Sequence, residues 1–464
     1  MMLPNAPDYS TAVLGILEAG AAATTMNPIY TAHEVHKQLI LSDPKLIIAS
    51  TETVHVIREA FQLAKMNIPI IIIKSRPDDE LPEGTVSFDE LSEGTNVDYT
   101  VLREVRRSAE DVVLLPYSSG TTGLPKGVEL TNRNLVANFL QLNVEGADFY
   151  KESSCTDQES ILAVLPFYHL YGLGIIMLHK LSKGDKLVTL PKFRPDTILK
   201  ALTDHRISIL FTVPPMVLFL TSHPDVKKEH LEHTNNYVSA AAPISIHDIH
   251  RLLEKAKPGA VMRQLYGLTE TAPVATIEPW GSKNYDSSGY AVSNTELKIV
   301  NPDSRALGPD EVGELWIRGP QVMKGYKNNP EATKNAITED GWFKSGDLGY
   351  INKDGSLYIK DRLKELIKVK GHQVPPAELE SVLKEHPAVL DAAVIGIPDK
   401  RTGEAPRAFV VIKEGEKKDE TQIKEFVKIR VTQYKWLKEV VFVDSLPRNP
   451  SGKILRRLLK DQNV

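Results

Sequence analysis

The chain is 464 residues long and has one cysteine, Cys155, so no disulfide can close within it, which suits a reducing compartment. The surroundings of that cysteine, "KESSCTDQES", are polar and loop-like, and a nucleophilic role would need a histidine partner that the sequence does not place. No apolar run approaches the roughly 18 residues that cross a bilayer. The opening "MMLPNAPDYS" has neither a charged start nor an apolar stretch, so a secretory leader is not expected. Large net charge is missing too. A formal −4 argues against a general nucleic-acid binder. Internal repeats and low-complexity tracts are absent.

What is present is ordinary globular material. Hydrophobic residues make up 42% and charged residues 25%, enough for a sizeable core, and the length suggests two or three domains. The first half alternates helix-like and strand-like segments. "STAVLGILEAG" carries apolar residues at helical spacing and stops at Gly20. "TAHEVHKQLILSD" opens with a capping box, Thr31 followed by Glu34. "KLIIAS" and "IPIIIIK" are short β-branched runs of the kind buried in parallel sheets. This rhythm predicts layered α/β structure. From Gly289 on, "TELKIV", "GELWIRG" and "GSLYIKD" read as short strands of a β-subdomain. After "YIKDRLKELIKVKG" the texture changes again, to a compact α+β module with helices at "PPAELESVLKEHP" and "TQIKEFVKIRV". The segment from Arg362 onward carries roughly six net positive charges, so the remainder is acidic. A basic module could meet an anionic ligand or simply present a solvated lysine-rich surface.

The stretch "YSSGTTGLPKG", Tyr117 to Gly127, follows the strand-like "DVVLLP" and holds glycines, hydroxyls and a lysine with almost nothing apolar. Glycines let backbone amides approach a ligand closely, and hydroxyls add donors, so a phosphate is the natural guest. It is not a Walker A loop, which needs Gly-Lys-Ser/Thr opening a helix. Here Gly127 follows Lys126, "VEL" reads as a strand, and a helix begins only at "TNRNLVANFLQ", capped by Thr131. Taken alone, such a loop is usually a flexible linker. Three further strings follow it in order: "QLYGLTET", "GWFKSGDLGYINKDGSLYIKDRLKELIKVKGHQVPPAELE" and "NPSGKILRR".

Together these four strings resemble the phosphate loop, the adenine and magnesium motif, the ribose and hinge block and the C-terminal lysine loop of the adenylate-forming superfamily. The resemblance runs the length of the chain and is nearest to plant 4-coumarate–CoA ligases and beetle luciferase-like acyl-CoA synthetases. It implies an α/β fold: a large N-terminal domain (1–361) of layered α/β subdomains plus a β-subdomain, and a small mobile α+β C-terminal cap (362–464). It implies an acid–CoA ligase that uses ATP, Mg²⁺ and coenzyme A to convert an aromatic or fatty carboxylic acid to acyl-AMP and then acyl-CoA.

The resemblance also assigns residues. Ser118, Ser119, Gly120, Thr121, Thr122 and Gly123 would surround the phosphates, with Lys126 facing the leaving pyrophosphate. Tyr266 and Gly267 would border adenine, Thr269 a phosphate, and Glu270 would bind magnesium through oxygen. Asp347 would accept the ribose hydroxyls, with Arg362 as a second contact. Lys453 would bridge the acid carboxylate and the α-phosphate during adenylation. Rotation about 361–364, with Lys364 as pivot, would then replace it by Lys368, Lys370 and Gly371 for thioester formation. His169 would orient the acyl group, although an interior histidine bonded to backbone is the plainer reading. Tyr171, Ala240, Ala241, Ala242 and Leu265 would line the acyl pocket.

Three departures from the family pattern stand out. Leu265 and the alanines of "SAAAPI" replace customary glycines, which would narrow the acyl tunnel or crowd adenine. "NFLQLNVEGADFY" lacks the arginine that luciferases place near luciferin, which favours a CoA ligase over a light emitter. The chain resembles its family only from the middle of the first subdomain, so bare apolar surface is expected on the first α/β layer. A shortened, weakly active or regulatory nucleotide-binding form and an adenylation-only enzyme are the alternatives. The end "DQNV" lacks an "SKL" address, so a cytoplasmic location is expected, with a peroxisomal one as the alternative.

Overall fold

The computed structural model describes residues 1–94, 98–118, 125–143, 153–154, 156–369, 372–399, 401–450 and 452–460. The first layer is a three-stranded parallel sheet in which Ile47–Ser50 pairs with Ile70–Ile73, and that strand with Val86–Ser87. The β-branched runs are buried there, against the helices Ala32–Ser42 and Val54–Ala64. Ala32–Ser42 starts in the expected capping box. The Thr31 N–H donates to Glu34 Oε2 at 2.8 Å, and the Glu34 N–H donates to Thr31 Oγ1 at 3.4 Å. Ile29, Ile40 and Leu63 of this layer are exposed.

A seven-stranded sheet forms the middle of the molecule. Its spatial order is 290–291, 274–277, 261–267, 236–239, 209–212, 160–163, 186–189. The five strands from 261–267 to 186–189 run parallel, and the two at the other edge are antiparallel. The parallel strands are short apolar runs buried from end to end at 160–163, 209–212 and 236–239. Beside them the apolar run Tyr171–His179 winds as a π-helix, wholly buried. Gly172 lets this helix approach its own entry, because a Cβ there would stand 2.2 Å from the Pro166 carbonyl oxygen.

The β-subdomain expected from the strand texture is a four-stranded antiparallel sheet, 296–300, 313–318, 343–351 and 357–362. A smaller sheet joins 325–326, 126–131 and 112–114, with 117–118 also paired to 126–131. Thr131 caps the helix Asn132–Leu142, as expected. The C-terminal module holds its own sheet, 372–374, 367–369, 403–412 and 389–399, with 439–442 alongside 403–412. Its apolar cluster, Ile367 to Val440, shares no residue with the large cluster that ends at Leu357. Among the described residues, no helix is long and apolar enough to cross a membrane.

Candidate active site

The two described ends of the phosphate-loop string are paired as antiparallel strands. Tyr117 pairs with Gly127 and Ser118 with Lys126, so both ends of the loop are fixed on strands. Packing is tight at Gly127, where a Cβ would stand 3.2 Å from Tyr117 Cζ and 3.3 Å from Leu115 Cδ1. Ser119, Gly120, Thr121, Thr122 and Gly123 lie outside the described residues. At the base of the loop, Ser118 Oγ donates to Glu270 Oε1 at 2.8 Å, and the Lys126 ammonium stands 4.9 Å from the centre of the Tyr326 ring.

Glu270 is carried by the short turn Thr269–Thr271, directly after the strand Val261–Gly267. It is only 5% exposed. Its Oε1 also accepts from the Tyr326 hydroxyl at 3.0 Å. Gly267 permits the turn, because a Cβ at that position would fall 1.8 Å from the Pro273 carbonyl oxygen.

Asp347 and Arg362 face each other across paired strands. Arg362 Nε lies 3.0 Å from Asp347 Oδ1, and the Tyr266 hydroxyl donates to Asp347 Oδ2 at 2.6 Å. Burial pushes the Asp347 carboxyl above the ordinary range, while Arg362 pulls it back. Tyr266 is held well above its usual value by burial and then by the Asp347 charge, so it stays a donor.

His169 precedes the π-helix. Burial lowers its imidazole to about 4, so it is neutral near pH 7. Its Nδ1 accepts from the Tyr171 N–H at 3.3 Å, which leaves the proton on Nε2 as a donor. The Tyr171 hydroxyl donates to the Val238 carbonyl at 3.2 Å and its ring meets Phe211 edge-on.

The C-terminal module reaches this region through its lysine loop. Gly452 has φ +84° and lies against the large body; a Cβ there would come within 3.0 Å of Val213 Cγ2. The Lys453 N–H donates to Asn449 Oδ1 at 2.8 Å. Burial lowers the Lys453 ammonium, followed by the Arg362 charge, with Glu365 and Asp347 opposing. Behind it, Arg456 Nη2 lies 2.8 Å from Glu380 Oε1 and Arg456 Nη1 pairs with Glu365. Asp361, on the other side of the seam, accepts from the Ala377 N–H at 2.9 Å at the start of the helix Pro376–Lys384.

A single cavity of about 1210 Å³ joins these parts. Ser118, Lys126, Thr269, Glu270, Arg362 and Lys453 line its polar side. His169, Tyr171, Ala240, Ala241 and Leu265 line it too, as do Tyr266 and Gly267. Three expected residues are not on this wall. Asp347 does not line it but bonds two residues that do, Tyr266 and Arg362. Ala242 is off the wall. Lys368 is exposed on the strand Ile367–Val369 of the C-terminal module, its N–H donating to Glu404 Oε2 at 2.7 Å. Lys370 and Gly371 lie outside the described residues. The sequence reading missed Tyr326, whose only local signal is a glycine before it in "MKGYK". It also missed the wall supplied by Thr25, Asn27 and Tyr30.

Comparison with known proteins gives a consistent result. The family model described as AMP-binding enzyme matches residues 1–327, and the AMP-binding enzyme C-terminal domain matches 378–453. The chain is 41% identical to 4-coumarate–CoA ligase 3 of Oryza sativa subsp. japonica, over 99% of this chain and 81% of that protein. It is 40% identical to 4-coumarate–CoA ligase 1 of Petroselinum crispum, over 99% and 83% respectively. ATP-bound MatB from Rhodopseudomonas palustris superposes with a TM-score of 0.87 at 29% identity, covering 99% of this chain and 87% of that one. The AMP complex of O-succinylbenzoate coenzyme A synthetase (MenE) from Bacillus subtilis gives 0.81 at 27% identity, with coverage of 99% and 87%. The chain belongs to the AMP-binding enzyme family, within the adenylate-forming superfamily.

Proposed function

We propose that this chain is an ATP-dependent, AMP-forming acid–CoA ligase that works in two steps. In the first, a carboxylate oxygen of the acid attacks the α-phosphorus of ATP. The new acyl–oxygen–phosphorus link forms as the bond to pyrophosphate breaks. In the second, the CoA thiol loses its proton to solvent and its sulfur attacks the acyl carbon; the carbon–sulfur bond forms as the bond from that carbon to the AMP phosphate oxygen breaks, and AMP leaves with the electron pair. The observation that carries this reading is that Lys453, from the C-terminal module, opens onto the same cavity as Lys126, Glu270, Arg362 and His169.

The division of labour follows the chemistry. An anionic nucleophile must approach an anionic nucleotide, so fixed donors must meet charge as it develops. Ser118 and Lys126, with the hydroxyls and amides of 119–123, receive the phosphate tail. Asp347 accepts the ribose hydroxyls and Arg362 holds Asp347 in place. Lys453 stands between acid and α-phosphate, and the neutral His169 donates its Nε2 proton to the acid carboxylate. The donor set also fits a hard cation. Glu270 offers a buried carboxylate beside the Ser118 hydroxyl, and the described residues include no cluster of three or more His, Cys, Asp or Glu that would cage a metal alone. Glu270 would hold Mg²⁺, which when bound supplies charge neutralisation at phosphate oxygens.

Residues 1–361 form the body and 362–464 the cap. Rotation about 361–364 withdraws Lys453 and brings Lys368 to the acyl carbon, and the basic cap suits a phosphate-bearing partner such as CoA. The acid is aromatic or fatty. In support, relatives from rice and parsley are named for 4-coumarate, and Ala240, Ala241 and Leu265 are on the cavity wall. The test is to measure pyrophosphate and AMP from ATP with a panel of short, long and aromatic acids, with and without CoA. Sustained AMP formation that needs both acid and CoA is expected. No turnover with any acid in folded protein would overturn the assignment.

A further inference from the structure

The strand Gly325–Tyr326 lies outside the strings that carry the family resemblance to the site, yet it is joined to two of them at once. Gly325 pairs with Glu129 and Tyr326 with Val128, on the strand that begins at Lys126. Lys324 N–H donates to the Glu129 carbonyl at 3.0 Å and Lys327 N–H to the Gly127 carbonyl at 2.9 Å. On the other side, Met323 N–H donates to the Glu270 carbonyl at 2.9 Å. The short segment therefore fixes the lysine strand and the glutamate turn relative to each other. Thr333 holds it from behind by accepting the Tyr326 N–H at 2.9 Å, an approach open only because residue 325 is glycine: a Cβ would meet Thr333 Cγ2 at 2.9 Å.

From that fixed position the Tyr326 side chain does two things. Its hydroxyl donates to Glu270 Oε1 at 3.0 Å, and its ring sits under the Lys126 ammonium, 4.9 Å from the centroid. The Ser118 hydroxyl converges on the same Oε1, while among the described residues nothing donates to Oε2. Both neutral donors thus fall on one oxygen of the carboxylate, and its other oxygen remains unspent among the described residues. The ring, meanwhile, offers the lysine an attractive face without neutralising it.

We propose that Tyr326 is a positioning residue for the phosphate end of the site. It orients the Glu270 carboxylate toward a divalent cation through its hydroxyl and seats the Lys126 ammonium through its ring. This rests on the reading of Glu270 as the metal carboxylate and Lys126 as a phosphate partner. The two parts separate by substitution, because Tyr326→Phe removes the hydroxyl and keeps the ring, whereas Tyr326→Leu removes both.

The experiment is calorimetric binding of a non-hydrolysable ATP analogue to the full chain, in EDTA and in Mg²⁺, for wild type, Tyr326→Phe, Tyr326→Leu and Glu270→Gln. In Tyr326→Phe the gain in affinity that Mg²⁺ adds should shrink about tenfold, as for loss of a group that braces a metal ligand, with affinity in EDTA unchanged. In Tyr326→Leu affinity in EDTA should also fall, by about two- to fivefold, as the cation loses its ring. A Mg²⁺ increment equal to wild type in Tyr326→Phe, where Glu270→Gln diminishes it, overturns the inference and leaves the metal reading standing. An undiminished increment in Glu270→Gln overturns both. Equal losses in EDTA and Mg²⁺ for Tyr326→Phe would mark a merely structural tyrosine and also overturn it.

Discussion

The two sets of side chains assigned above to the nucleotide and to the acid are built on opposite principles. At the nucleotide end, charged and hydrogen-bonding groups are arranged against one another in advance: Asp347 with Arg362 and Tyr266, and Glu270 with Ser118 and Tyr326. At the acid end, the wall is a neutral histidine, a tyrosine whose hydroxyl is already given to backbone, and the small or aliphatic side chains Ala240, Ala241 and Leu265. On the proposed assignment, the first would recognise by charge and direction, and the second by volume. A common nucleotide and a variable acid call for that contrast, because oriented donors discriminate sharply whereas a hydrophobic wall discriminates by only about 1–3 kcal/mol per methylene.

The largest expected effect would break the nucleotide end. Lys453→Ala should slow adenylation about 10²- to 10³-fold, the cost of one preorganised charge-stabilising donor. Thioester formation from supplied acyl-AMP should be spared. Lys368→Ala should do the reverse, because that lysine stands outside the cavity in this orientation of the cap. Measuring pyrophosphate release and acyl-CoA formation separately checks both, and equal losses in both half-reactions for both variants would refute the rotation.

A smaller effect should sharpen the account of the acid end. Leu265 is 7% exposed on the cavity wall. Leu265→Ala should raise kcat/KM for bulkier acids relative to small ones by about tenfold or more, at a stability cost of about 2–4 kcal/mol. An acid preference unchanged across a size series would place Leu265 outside the determinant of length.

The smallest effect concerns the seam behind the nucleotide end. Burial raises the Asp361 carboxyl to about 6, against Arg456 and the Ala377 and Arg362 N–H groups, with the Glu380 charge adding to the rise. Its folded value lies above its ordinary one, so its contribution to stability is fully present below about pH 4 and is lost as pH rises through 6. Asp361→Asn keeps an acceptor and removes this titration. Thermal unfolding should show wild type losing about 2–3 kcal/mol relative to Asp361→Asn between pH 4 and pH 7; parallel curves would contradict it.

This contrast also explains what could be read in advance. The layered fold was visible in the alternation of β-branched runs with capped helices, and the Thr31–Glu34 box formed as its spacing required. Most of the nucleotide end is written in contiguous strings, because a tight turn such as Gly267 to Glu270 needs neighbouring residues of fixed type. The acid end is assembled from residues far apart in the chain, so volume leaves no local signature. Three alanines in a row looked equivalent, but only Ala240 and Ala241 reach the wall, since successive residues of a turn point in different directions. The uniformly apolar "YGLGIIMLH" has no period from which a π-helix could be told. Tyr326 escaped notice because its partners lie far off in sequence, at Lys126 and Glu270.

The tip of the lysine loop adds one consequence of its own. Gly452 rests within a methyl's breadth of Val213 and Pro215, in a backbone conformation that side chains seldom adopt. How deep the ammonium of the next residue can plunge is thus governed by bulk that is missing, at a spot remote from the reacting atoms. On the proposed rotation, so bare a contact would let the loop seat fully and still let go.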